Sequence, residues 1–142
     1  MELIQNYISG QYVNAISDNI INIYEPATAK VYGELYDSNI EDVNSAVESA
    51  ENAFPSWSAL KVNERSNYLI AIAEKIHSRL DEFASFESRD TGKPISLARS
   101  LDIPRSISNF KFFAEHAKNF EFELDLNNDE SQNRITRLPI VV

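Results

Sequence analysis

The hydrophobic period of this chain changes twice, and those changes restrict the architectures open to it. Up to Tyr36 the apolar residues fall in short β-rich runs. Tyr7-Ile8 and Tyr12-Val13 flank Ser9-Gly10, a hairpin turn in which glycine tolerates positive φ. Ile20 to Tyr24 and Val31 to Tyr36 flank a second turn, Pro26-Ala27-Thr28-Ala29. Together these runs predict a small antiparallel meander.

From residue 38 the period becomes helical. Ser38 and Glu41 have the spacing of a capping box. Val43, Ala46, Val47, Ala50, Ala53 and Phe54 follow on one face, with Pro55 expected to end or kink the helix and Trp57 to pack beneath it. A second helix is predicted from Asn63 to Leu80, with Leu69, Ile72, Ala73, Ile76 and Leu80 as its stripe. Asp81 is read as the cap of a third, and Gly92, followed by Pro94, as its stop. A last helix starts near Asp102, carries Pro104 in its first turn, and lines up Ile103, Ile107, Phe110, Phe113, Ala114 and Ala117. After Lys118 the pattern alternates again. Phe122, Leu124 and Leu126 read as a half-buried strand, residues 127–133 as a turn, and Arg134 to Val142 as the partner strand.

Composition narrows the functions. A chain of 142 residues with 43% hydrophobic and 25% charged residues makes one ordinary globular domain. A net charge of -9 argues against a nucleic-acid partner and against an anionic membrane surface. The N-terminus lacks the basic start and apolar stretch of a signal peptide, so the expected location is cytoplasmic. There is no cysteine, hence no disulfide, thiolate metal site or thiol nucleophile within the chain. Gly10, Gly33 and Gly92 are too far apart in sequence to build a phosphate-cradling loop.

Most polar candidates have structural readings. His77 lies between Glu74 and Asp81, and His116 beside Glu115, as parts of solvated charge clusters. Glu41-Asp42 and Asp81-Glu82 complement helix dipoles in first turns. Ser100, Ser106 and Ser108 lie near no evident base. Phe110 and Phe113 belong to a core stripe, while Phe120 and Phe122 are expected to face a further part of a longer protein.

Several blocks, in order, resemble the N-terminal part of the NAD(P)-dependent aldehyde dehydrogenase superfamily. They are Tyr7-Ile8-Ser9-Gly10-Gln11-Tyr12-Val13, then Tyr24-Glu25-Pro26-Ala27-Thr28, then the helix from Glu41 to Trp57, and then Glu64-Arg65. The most specific is Glu87-Ser88-Arg89-Asp90-Thr91-Gly92-Lys93-Pro94, similar to E-x-x-D-x-G-K-P. Asp102-Ile103-Pro104-Arg105-Ser106 and Asn109 to Ala114 follow, and this stretch resembles most the branch acting on muconic semialdehydes, aldehydes from ring cleavage and tryptophan breakdown. Ala29 stands where the family's turn has glycine, which argues against a positive-φ turn there, and Tyr12 stands at the hairpin aromatic. Leu138-Pro139-Ile140-Val141-Val142 lacks the glycine of the family's P-x-G-V-V.

The resemblance implies an α/β fold: residues 1–121 as the N-terminal portion of the cofactor-binding domain, and 122–142 as the start of an oligomerisation hairpin arm. The apolar ending reads as a chain interrupted part-way, of weak stability or prone to self-association. The parent enzyme would oxidise an aldehyde to a carboxylic acid with NAD or NADP, as a homo-oligomer. Its nucleophilic Cys, oxyanion donor, general base and cofactor loop lie beyond the matched blocks. No catalytic or cofactor-binding residue is therefore assigned here, and this chain alone is expected to be inactive and to bind no cofactor. One site carries over by resemblance, a structural monovalent cation held at Ile23, Tyr24 and Asp90, hard oxygen ligands suiting such an ion. Otherwise Asp90 caps a turn or pairs with Lys93. Two alternative readings are a non-catalytic module joining full-length subunits through the 122–137 hairpin, by strand addition, and an independent helical adaptor.

Overall fold

A computed structural model describes residues 2–121, 123–127, 131–138 and 140. The β-rich start forms β1 (Glu2–Ile4), β2 (Asn6–Ile8), β3 (Gln11–Val13), β4 (Ile20–Glu25) and β5 (Lys30–Tyr36). β2 and β3 make the expected hairpin, with Ser9 at φ 53° and Gly10 at φ 78°. β4 and β5 pair antiparallel on either side of the Pro26 turn. The two hairpins do not join into the expected meander: β2-β3 is a sheet of its own, and β5 takes β1 as a parallel neighbour, with Leu3 opposite Glu34, giving the order β1-β5-β4. A parallel partner needs a long crossover, which local patterning does not reveal.

The turn before β5 keeps a left-handed residue without glycine. Ala29 has φ 56°, contrary to the inference from its missing glycine. Glu25 imposes it. Its carbonyl accepts from Thr28 N at 3.2 Å and Ala29 N at 2.8 Å, and its carboxylate from Thr28 Oγ1 at 2.6 Å.

α1 (Ile40–Ser58) starts one residue later than expected, capped by Asn39 rather than Ser38. Asn39 Oδ1 accepts from Glu41 N and Asp42 N, while Asp42 Oδ2 accepts from Asn39 N at 2.9 Å. Pro55 lies inside the last turn and does not stop the helix. Trp57 sits edge-on to Tyr68 of α2 (Val62–Ser78), ring centroids 5.3 Å apart. α3 (Leu80–Thr91) has Arg79 at its cap position. Asp81, the expected cap, instead pairs with Arg99 at 2.8 Å.

The last helical path begins earlier than Asp102. It runs through α4 (Ile95–Leu97), a π-helical turn (Ala98–Asp102) and α5 (Ile103–Lys118). The N–H of Ile103 donates to the carbonyl of Ala98, five residues back. That wide turn brings Ala98 and Ile103 to the same core, with Ala73, Ala84 and Ile107, flanked by Ile76, Leu80, Phe83 and Phe110. Ala73 of α2 and Ala114 of α5, both fully buried, let those two helices pack closely. Ile72 and Phe113, expected in the stripes, are 42% and 58% exposed. Ser66 of α2 is buried, and its hydroxyl has no partner among the described residues.

β6 (Glu123–Asn127) and β7 (Gln132–Thr136) form an antiparallel hairpin, tied across by Arg134 and Asp125 at 2.8 Å. β7 begins two residues before the expected Arg134. Phe122, residues 128–130, Pro139 and the last two valines lie outside the described residues. No described helix is long and apolar enough to cross a membrane.

Candidate functional site

The Glu87 to Pro94 block is a junction between the sheet and the helices. Gly92 ends α3 at φ 74°, and a Cβ there would come within 3.0 Å of Pro26 Cβ, so the block and the Pro26 turn meet. Ser88 Oγ donates to the Lys93 carbonyl at 2.6 Å and fixes the exit. Tyr32 of β5 donates its hydroxyl hydrogen to Asp90 Oδ1 at 2.5 Å, and the Arg89 guanidinium lies over the Tyr32 ring at 4.3 Å. The Asp90 hydrogen bond, then burial and the negative charge of Asp90, hold the Tyr32 phenol above its ordinary pKa.

Lys93 does not pair with Asp90. Its ammonium bridges Glu87 Oε1 at 3.3 Å and Asp102 Oδ2 at 3.0 Å. Those bonds, to Asp102 first and Glu87 second, raise the lysine above its ordinary pKa.

Two cavities flank this junction. A cleft of about 580 Å3 lies between the sheet and α3, with Ile4, Ile23, Leu35, Phe83 and Phe86 as apolar walls and Tyr32, Glu87 and Asp90 among its polar residues. The second, of about 460 Å3, is lined by Leu69 of α2 and by Asp102, Arg105, Ser106, Asn109, Phe110 and Phe113. It places a guanidinium, an amide and a hydroxyl among aromatic rings. Arg105 makes no ion pair among the described residues.

Of the three expected cation ligands, Ile23 and Asp90 line the same cleft, while Tyr24 is exposed and outside its lining. A shift in strand register falls between Ile23 and Tyr24. The described residues contain no group of three or more His, Cys, Asp or Glu placed to hold a metal. His77 lies in a small polar recess with Arg79, Asp81 and Glu82, as a solvated cluster would. His116 is different, for its ring stacks on Phe112 with centroids 5.7 Å apart. Sequence reasoning also understated Asp42. It is buried, and its Oδ1 accepts from Ile16 N at 2.9 Å, anchoring the segment before β4 as well as the helix cap. The Asn39-x-x-Asp42 spacing was the available signal.

The model of the aldehyde dehydrogenase family matches residues 12–142. This chain belongs to that family. It is 46% identical over 112 residues to a 2-aminomuconic semialdehyde dehydrogenase of Danio rerio, an alignment spanning 79% of this chain and 23% of that protein. It is 37% identical over 124 residues to a 2-hydroxymuconic semialdehyde dehydrogenase of Pseudomonas sp. (strain CF600), spanning 87% and 26%. A solved structure of PnpE in complex with nicotinamide adenine dinucleotide superposes with a TM-score of 0.84 at 34% identity, over 88% of this chain and 26% of that one. The chain spans about a quarter of the length of these relatives.

Aldehyde dehydrogenases are oxidoreductases that use NAD(P). Within this aldehyde dehydrogenase chain, Gly10 lies in the β2–β3 turn, Gly33 within β5 and Gly92 at the end of α3. Among the described residues they do not gather into a phosphate-binding loop.

Proposed function

We propose that this chain supplies the first part of the cofactor domain of an NAD(P)-dependent dehydrogenase that oxidises a muconic semialdehyde to the corresponding acid. On this reading the chain does not turn over alone, since it carries no thiol to attack the aldehyde. What it contributes to substrate recognition is the second cavity.

The observation that carries the substrate class is the place of Arg105. The stretch from Asp102 to Ala114, which resembles the muconic branch, lines that cavity and sets beside Phe110 and Phe113 a guanidinium that has no ion pair among the described residues. A muconic semialdehyde has a carboxylate at the end of a flat unsaturated chain. A guanidinium meets the carboxylate in fork geometry, and aromatic rings cover the chain.

Hexa-2,4-dienoate, a six-carbon unsaturated carboxylate, is the probe, with its amide as the neutral control. Binding of the carboxylate to the 142-residue chain, followed by NMR, should weaken about tenfold in Arg105→Gln, or about 1.4 kcal/mol. Equal binding of carboxylate and amide to the unaltered chain would defeat the reading.

The cation belongs to the same proposal. Asp90 would supply a carboxylate oxygen and Ile23 and Tyr24 backbone oxygens, supported by the shared cleft of Ile23 and Asp90. A potassium-dependent rise in melting temperature that disappears in Asp90→Asn is the expected result, and its absence would remove the cation.

A second reading rests on the β6–β7 hairpin, whose second strand is exposed along its whole length. A lone two-stranded hairpin is marginal in water, so this one is suited to joining a full-length subunit. Co-elution of the chain with a full-length family member at micromolar concentration would support it, and separate elution would reject it.

A further inference from the structure

Asp102 and Arg105 are three residues apart at the start of α5, and both line the second cavity. Opposite charges at that spacing are natural partners. They do not pair here. Asp102 Oδ2 instead takes the Lys93 ammonium at 3.0 Å, and the same ammonium holds Glu87, which lines the other cleft. The Asp102 carboxylate is only 22% exposed. A carboxylate so placed, left without its lysine, has the guanidinium of Arg105 at ion-pair spacing on the same cavity wall, while Arg99, three residues before Asp102, is held by Asp81.

We infer that Lys93 is a positioning residue: by occupying Asp102 it keeps Arg105 free for an anionic group entering the second cavity. This rests on the carboxylate reading of that cavity given above. Lys93 acts through two bonds that the structure shows, one to Asp102 and one to Glu87. Its position is fixed by Ser88, whose hydroxyl holds the Lys93 carbonyl, and by the left-handed stop at Gly92 immediately before it. The Gly-Lys-Pro portion of the motif thereby has a task at a cavity built from the following helix. Charge placement in the cavity is the consequence. With Lys93 present, the acidic wall is neutralised from behind and the basic wall faces the ligand. Without it, the two walls neutralise each other.

The test uses the 142-residue chain, hexa-2,4-dienoate and its amide. Lys93→Met is expected to weaken carboxylate binding about three- to fivefold, the range of a partly exposed ion pair, while leaving amide binding unchanged. Lys93→Arg restores it. Lys93→Met combined with Asp102→Asn also restores it, because the competing carboxylate is gone. Asp102→Asn alone tightens carboxylate binding.

Failure of the double substitution to restore binding would overturn the inference, as would equal losses for carboxylate and amide, which mark a merely structural lysine. If the unaltered chain does not prefer the carboxylate, the cavity reading falls and this inference with it. If it does prefer the carboxylate and Lys93→Met binds it equally well, only the inference falls. Should Lys93→Met not fold, the tightening by Asp102→Asn decides alone, and unchanged or weaker binding overturns the proposal.

Discussion

Tyr32 donates to Asp90 Oδ1 across 2.5 Å, joining the central strand of the three-stranded sheet to the last turn of α3. The bond requires the phenol to keep its proton. The pKa of the folded phenol is raised, so its contribution is fully present below the ordinary tyrosine value of about 10 and is lost as pH rises through the folded value. Alkaline titration followed by tyrosinate absorbance should show one tyrosine ionising later than the others. Asp90→Asn should bring that tyrosine back toward the rest, and an unchanged titration curve would show that the bond does not control it.

Two left-handed residues should respond in opposite directions. Gly92→Ala puts a methyl at φ 74° against Pro26 and should cost about 1–3 kcal/mol. Ala29→Gly removes the strain of a Cβ at φ 56° and, after the added chain entropy, should stabilise by about 0.5–1 kcal/mol. Urea unfolding of the two variants checks both signs.

Removing the buried hydroxyl of Ser66 should help rather than harm. It is 1% exposed and unpartnered among the described residues. Ser66→Ala should raise stability by about 1 kcal/mol, because an unmet donor is removed with little change of shape. A loss of stability in calorimetry would reveal a partner for that hydroxyl.

Asp42→Ala should be among the more damaging single changes. It breaks the bond to Asn39 N and the bond to Ile16 N together. The expected loss is about 2–3 kcal/mol, a cap plus a charge-assisted bond. Hydrogen exchange should quicken at both Ile16 and Asn39. Faster exchange at Asn39 alone would separate the two roles.

What the sequence made legible was local. The Ser9-Gly10 turn, the helical stripes and the Gly92 stop follow from φ preferences and period, which act over a few residues. The ordered blocks carried the family. The parallel pairing of β1 with β5 was hidden because nothing near Leu3 encodes a partner at Glu34. Ala29 misled because the turn is held by Glu25, not by its own residue type. In the second cavity, Phe110 and Phe113 were visible as an apolar stripe. The isolation of Arg105 was not, since it depends on where Lys93, twelve positions earlier, sends its charge. His116 was read by its charged neighbour, while its ring lies between Phe112 and Phe120, four residues to either side.

The π turn between Ala98 and Asp102 makes the number of residues there as informative as their kind. Ala98 and Ile103 share the core at a spacing of five, which an α-helix would set on different faces. Loss of one codon in this stretch would turn everything downstream by about 100°. Each motif would still be spelled correctly, yet Ile103 and Ile107 would leave the core and Arg105 would leave its cavity. An insertion or deletion here, harmless in most surface loops, would act as a missense change at every following position of the helix.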